Sequence, residues 1–307
     1  MMRKYIAGPI QVVSLALLLS GSAEAQLSET AALAVKLARQ YSVLSGITYL
    51  TAENWESKLD VYLAPRTLGR PAPTLIYFHG GGWKGSDRTA ASLSLVPFLE
   101  MGWNVVNVDY RLARVSLAPA AVEDCRCALR WVIGKAKEYR FDVSRIVVSG
   151  ISAGGHLALT TGMLPASAGL DRRCPGNEEL KVAAIINWCG ITDVVDLLEG
   201  PNMQNFAVTW LGGLLNRDVI AKQVSPLTYV RPGLPPVLTI HGDADPAVPY
   251  SHATRLHEAL TTAGVPNKLL TLAGAKHGNY TQEETLMAYD AIQNFLIEHH
   301  LLELSRH

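Results

Sequence analysis

Read for its hydrophobic and polar positions, the chain resolves into short apolar runs separated by longer stretches of helical period. "TLIYFHG" (74–80), "WNVVNVDY" (103–110), "RIVVSG" (145–150), "VAAIINWCG" (182–190), "PVLTIHG" (236–242) and "KLLTL" (268–272) are apolar at consecutive positions and rich in β-branched residues. A strand that is apolar on both faces belongs inside a parallel sheet covered on both sides. Between these runs, "AAVEDCRCALRWVIGKAKEY" (120–139), "SHATRLHEALTTAG" (251–264) and "ETLMAYDAIQNFLIEHH" (284–300) repeat apolar residues at helical spacing, as crossover helices do. Residues 27–45 read as an amphipathic helix, and "ITYL" and the alternating "KLDVYLAP" follow as early strands. The fold class is therefore α/β: a mostly parallel eight-stranded sheet with helices on both faces. Residues 193–230 are long for a simple crossover and are expected to form helices over the top of the sheet, as a small cap segment. No internal repeat or low-complexity linker interrupts the pattern.

Composition adds bounds. Within 307 residues, 27 Lys and Arg balance 27 Asp and Glu, which argues against a nucleic-acid partner, since that would need a basic face. The length suits one large domain with a well-buried core. At the N-terminus, Arg3 and Lys4 precede an apolar stretch, Val12 to Leu19, and then Ser22-Ala23-Glu24-Ala25. That order of charged region, short apolar region and small-residue site predicts a signal peptide over 1–25, a mature domain over 26–307 and a secreted or periplasmic location. The apolar stretch is short for a bilayer, so no membrane association is expected once it is removed. Of the four cysteines, Cys125 and Cys127 are two apart in a helical stretch and should not pair with each other. A Cys174–Cys189 bridge and four buried thiols both remain open. No Cys-x-x-Cys pair or histidine cluster suggests a metal.

The candidate chemistry sits at strand ends, where doubly wound sheets meet their ligands. Gly150-Ile151-Ser152-Ala153-Gly154 joins an apolar strand directly to a helical stretch. A turn tight enough to push the Ser152 hydroxyl outward crowds the positions two before and two after it, and glycine answers that crowding. "HGGGW" (79–83) follows another strand. Its glycines suit backbone N–H donors aimed at a developing oxyanion, with Gly81 and Gly82 as donors together with Ala153. His79 reads as structural. Trp83 is a candidate pocket wall or a buried anchor, and Ile151 is the other candidate for substrate contact. A nucleophile needs a base, and the base needs an orienting acid. His277 in "GAKHGNY" follows the last strand, and "HGDADPAVP" (241–249) offers Asp243 and Asp245. Asp245 is preferred because it lies a few residues beyond its strand end; Asp193 in "GITD" is an alternative. His257, His299 and His300 are expected on solvated helix faces, and His156 in packing.

Taken together, "HGGGW", "VDYRL", "GISAGG", "HGDADPAVP" and "AKHG" resemble the α/β-hydrolase superfamily over about residues 45–300. The likeness is strongest to bacterial carboxylesterases of the hormone-sensitive-lipase-like and feruloyl/acetylxylan-esterase-like groups. It implies a triad of Ser152, Asp245 and His277, oxyanion donors at Gly81, Gly82 and Ala153, and no cofactor or metal. "YRLARVSLAPAAVEDC" departs from the lipase-like pattern after "YRLAP". The implied activity is hydrolysis of carboxylic esters, short-chain or carbohydrate-linked acetyl and feruloyl esters among them. A prolyl-oligopeptidase-like exopeptidase and an inactive binding module are the alternatives. Activity should fall as His277 protonates, near pH 6.5 if its basicity is ordinary.

Overall fold

The computed structural model describes residues 28–65 and 69–303. The expected signal peptide lies outside the described residues. Eight strands form one sheet: β1 (Ser42–Ala52), β2 (Trp55–Leu63), β3 (Ala72–Phe78), β4 (Asn104–Val108), β5 (Phe141–Ile151), β6 (Ala184–Trp188), β7 (Val237–Gly242) and β8 (Asn267–Leu272). Their spatial order is β1-β2-β4-β3-β5-β6-β7-β8. β1 pairs antiparallel with β2, and β2 with β4; every other neighbour pair is parallel. The helices are α1 (Glu29–Gln40), α2 (Val96–Glu100), α3 (Ala120–Gly134), α4 (Ala136–Tyr139), α5 (Ala153–Met163), α6 (Asn205–Leu211), α7 (Arg217–Gln223), α8 (Ser251–Thr262) and α9 (Gln282–Glu298).

Burial follows the strand order. β4, β6 and β7 are buried at every position, and β3 at all but one, as central parallel strands must be. Edge strand β1 is mostly exposed. Alternate residues feed two cores. Ile76, Phe78, Val106 and Val148 pack with Leu129, Leu157 and Leu159 of α3 and α5. Leu75, Val105, Val147 and Ile186 pack with Phe98 of α2 and with Ile292 and Phe295 of α9. The first helix is shorter than the sequence pattern suggests. Ser28 caps its start, Tyr41 turns extended, and 42–45 join the edge strand instead.

Residues 193–230 contain α6, α7 and short 3₁₀ turns. They pack downward: Ala207, Trp210 and Leu211 of α6 are fully buried, and Trp210 stacks on Trp83 with ring centroids 4.1 Å apart. Beneath them, Arg111 at the end of β4 is almost wholly buried and grips Asp124 of α3, Nη2 to Oδ1 at 2.7 Å, while its own backbone N–H donates to Oδ2 at 2.7 Å. A buried charge is stable only when paired and hydrogen-bonded in this way.

The cysteines pair differently from the Cys174–Cys189 alternative: Cys127 bridges Cys174, and Cys125 and Cys189 are free and buried. The partner is settled by where the loop after α5 returns. It passes α3, on which Cys127 faces away from Cys125, whereas Cys189 sits at the end of β6. Unfolded without reductant, the protein should titrate two thiols; four would contradict the bridge. Cys174→Ser opens a closure of 47 residues and should cost about 4 kcal/mol in a urea titration.

Candidate active site

Ser152 sits where β5 becomes α5, with φ 59° and ψ −120°. A serine pays for that conformation in strain unless its surroundings impose it. Here they do. A Cβ on Gly150 would lie 2.5 Å from Phe78 O, and one on Gly154 would lie 2.6 Å from His79 O and closer still to Phe78 O. Only glycine lets the end of β3 approach the turn this closely. The Ser152 N–H is tied to Trp188 O at 2.8 Å, so β3 and β6 clamp the turn from both sides.

The two other partners meet Ser152 at its outward face. His277 Nε2 is 2.8 Å from Ser152 Oγ, and His277 Nδ1 is 2.7 Å from Asp245 Oδ2. Asp245 Oδ1 accepts the backbone N–H groups of Ala247 and Val248 at 2.8 and 2.9 Å. With both of its oxygens engaged, the carboxylate is fixed in orientation and held ionised: burial opposes the charge, but hydrogen bonds from His241, His277 and Val248 carry its pKa well below the ordinary value. Asp243 instead accepts from Gly274 N–H at 2.6 Å and ties the two loops together. Asp193 pairs with Arg255 at 2.6 Å.

The "HGGG" loop lies against the same turn. A Cβ on Gly80 would reach Ile151 O at 3.0 Å. Gly81 and Gly82 both have positive φ, 110° and 60°. A Cβ on Gly82 would collide with Phe206 of α6 at 2.8 Å. Ala153 opens α5, and the first-turn N–H groups of a helix have no partner within it. "VDYRL" supports the loop from below: Tyr110 stacks on His79 and donates its hydroxyl to His79 O at 2.8 Å. His79 is buried, its Nδ1 against Gly80 O at 2.7 Å, and it holds the loop rather than Ser152.

The two residues expected to contact substrate part company. Trp83 is fully buried and cannot wall an open pocket: it stacks on Trp210, and its Nε1–H donates to His156 Nδ1 at 3.2 Å. The indole is an anchor, because its ring finds a complete apolar jacket and its one donor a partner. His156 passes the chain on to Val224 O at 2.7 Å, which leaves its Nδ1 as acceptor; burial lowers its pKa to about 4 and keeps it neutral. Ile151 is half-buried and lines a cavity of about 160 Å³. His257 is a second correction. It is buried rather than solvated, with Nδ1 2.7 Å from Asn267 Oδ1.

The sequence pattern did not single out two neighbours of the triad. His241 is fully buried, and its Nε2 lies 3.2 Å from Asp245 Oδ2 and 3.0 Å from Val248 O; its only signal was the position four before Asp245 across the strand end. Cys189 Sγ, an Asp245 oxygen and a His277 nitrogen lie within 4.8 Å of one another. Among the described residues this is the group whose donors stand close enough to hold a metal ion. Two of the three are already committed to each other by a hydrogen bond.

A serine, a histidine and a carboxylate hydrogen-bonded in series at the carboxyl ends of a mainly parallel sheet define the α/β-hydrolase class. The chain belongs to the BD-FAE family, whose model matches residues 59–260. It is 28% identical over 254 residues to the esterase LipQ of Mycobacterium tuberculosis, an alignment covering 78% of this chain and 59% of that protein. It is 30% identical to the carboxylesterase NlhH of the same species, covering 67% and 66%. The chain spans roughly half of the length of several curated relatives, from 46% to 59% of the first three. Among solved structures, an esterase from Thermogutta terrifontis superposes with TM-score 0.72 at 28% identity, covering 87% of this chain and 95% of that one. A carbohydrate esterase from gut microbiota gives 0.70 at 25%, covering 85% and 97%.

The surroundings of His277 set a pH dependence. Burial alone would lower its pKa, but the hydrogen bond it donates to Asp245 and the neighbouring Cys189 outweigh that and raise it above 6.5. A base must be neutral to accept a proton, so a raised pKa moves the acid-side loss of activity to higher pH than an ordinary histidine would show. The acid limb of kcat/KM should have its midpoint above 6.5. Asp245→Asn should shift it downward while reducing kcat, a result that a pH–rate profile with an unchanged midpoint would contradict.

Proposed function

We propose that the protein is a carboxylic ester hydrolase that works through an acyl-enzyme on Ser152. The observation that carries this reading is the unbroken chain Ser152 Oγ, His277 and Asp245, with links of 2.8 and 2.7 Å. His277 Nε2 takes the hydroxyl proton as Ser152 Oγ attacks the ester carbonyl. The carbonyl π pair moves onto oxygen, facing the N–H groups of Gly81, Gly82 and Ala153. Collapse breaks the bond to the alkoxy oxygen, which leaves as alcohol with the proton from His277. Water then repeats the attack on the acyl-enzyme, with His277 as base, and releases the acid and free Ser152. Asp245, fixed by two backbone N–H groups, holds the imidazole in the tautomer that presents Nε2 and stabilises the cation it becomes.

The relatives bear on the substrate class. Esterases and a carbohydrate esterase among the structural neighbours support short-chain esters and acetyl or feruloyl groups carried on carbohydrate. A secreted or periplasmic location accords with the N-terminal charge and apolar pattern and with the Cys127–Cys174 bridge, since disulfides persist in oxidising compartments.

Ser152→Ala should reduce hydrolysis of p-nitrophenyl acetate by at least about 10⁴-fold and abolish labelling by a fluorophosphonate probe, with an unchanged circular dichroism spectrum. Wild-type labelling of the variant would remove Ser152 as nucleophile.

A further inference from the structure

His241 touches the catalytic carboxylate from behind, on the side away from Ser152, and its role rests on the ester-hydrolase reading above. It belongs to β7, a strand buried at every position, and its own side chain is wholly enclosed. Its Nε2 lies 3.0 Å from Val248 O and 3.2 Å from Asp245 Oδ2. A carbonyl and an ionised carboxylate can only accept, so the ring proton sits on Nε2 and is shared between them. Tyr250 packs edge-on against the ring, with centroids 5.7 Å apart.

Asp245 needs more than its backbone partners. The N–H groups of Ala247 and Val248 hold Oδ1, but a carboxylate pinned at one oxygen can still pivot about it. His277 cannot supply the second anchor, because it is the group to be oriented: it rides on a loop, and its side chain is 23% exposed. Oδ2 therefore needs a fixed donor from the protein interior, and His241 meets that need. The strand carries it, and the sheet holds the strand on both sides. The Nε2–H that reaches Oδ2 also reaches the carbonyl of Val248, the residue whose N–H holds Oδ1. One imidazole thus closes a ring of contacts around the carboxylate. Burial opposes the charge on Asp245, and among the hydrogen bonds that overcome it the one from His241 is the largest.

We propose that His241 is a positioning residue for the hydrolysis: it acts through Asp245, fixing the plane of the carboxylate so that Oδ2 meets His277 Nδ1. A base held slightly out of line loses rate without loss of substrate affinity. Acylation and deacylation both use His277, so both should slow together, and the effect should fall on kcat rather than KM.

The test is steady-state hydrolysis of p-nitrophenyl acetate by three variants. His241→Gln places an amide N–H close to where Nε2 stands, His241→Asn carries the same amide one methylene short, and His241→Phe keeps a ring and removes the donor. His241→Phe and His241→Asn should each lose about tenfold in kcat at unchanged KM, the lower worth of a hydrogen bond to a charged group. His241→Gln should recover most of that loss. Combined with Asp245→Ala, His241→Phe should slow the enzyme by less than about twofold further, because no carboxylate is left to hold. Wild-type kcat in both His241→Phe and His241→Asn overturns the proposal. So does an equal loss in His241→Gln and His241→Asn, or a tenfold loss that persists on Asp245→Ala, since a residue that only supports the fold acts whether or not the carboxylate is present. If circular dichroism shows that His241→Phe does not fold, the comparison of His241→Gln with His241→Asn decides alone. Failure of the wild-type protein to hydrolyse any ester, together with no fluorophosphonate labelling, overturns the hydrolase reading itself and this proposal with it.

Discussion

The site depends on one steric constraint: the close approach of the Phe78 and His79 carbonyls to the turn that carries Ser152. Holding a serine at φ 59° costs on the order of 1–3 kcal/mol, and only a rigid surround keeps it there. The surround is the sheet. β3 and β6 are the neighbours of β5; the end of β3 leaves room only for glycine at 150 and 154, and Trp188 O of β6 holds the Ser152 N–H. The outward hydroxyl follows from backbone packing, and the loops bearing His277 and Asp245 then need only to reach it.

The same strand ends serve a second purpose. Because the turn touches β3, the loop that leaves β3 starts beside Ser152, and Gly80 through Gly82 pass directly by the nucleophile. Tyr110 and the Ala113 N–H, which donate to His79 O and Trp83 O, hold that loop from the β4 side, and Trp83 pins it under α6. The segment 193–230 thus acts on the site from above through Trp210 and Phe206, which press on Trp83 and Gly82. What begins as hydrophobic packing ends as control over the path of the glycine loop.

Much of this was legible in the sequence, for a physical reason. Consecutive apolar runs mark central strands, and chemistry at strand ends comes with turn residues that only a special backbone requires, so Ser152, His277 and the preferred Asp245 stood out and the structure brings them together. Contacts between residues far apart in the chain were not legible. Cys127 was as good a partner for Cys174 as Cys189 was until the course of the loop after α5 was known. Trp83 sits next to a glycine loop and so read equally as a pocket wall or a buried anchor; α6, more than a hundred residues on, supplies the packing that makes it the anchor. His241 and Cys189 carry no motif of their own; their nearness to Asp245 and His277 appears only once β6, β7 and β8 lie side by side. The helix boundary near residue 41 failed because an exposed edge strand and an amphipathic helix both mix polar and apolar residues, and periodicity over so few positions does not separate them.

The central claim is that Ser152, His277 and Asp245 act as a single unit. Kinetics of Ser152→Ala, His277→Ala and the combined variant on one activated ester measure this directly. Residues that share one proton path lose their function together, so the combined variant should be about as slow as either single one. Losses that multiply, with the double variant slower by the product of the two single effects, would show that the residues contribute independently and would contradict the account.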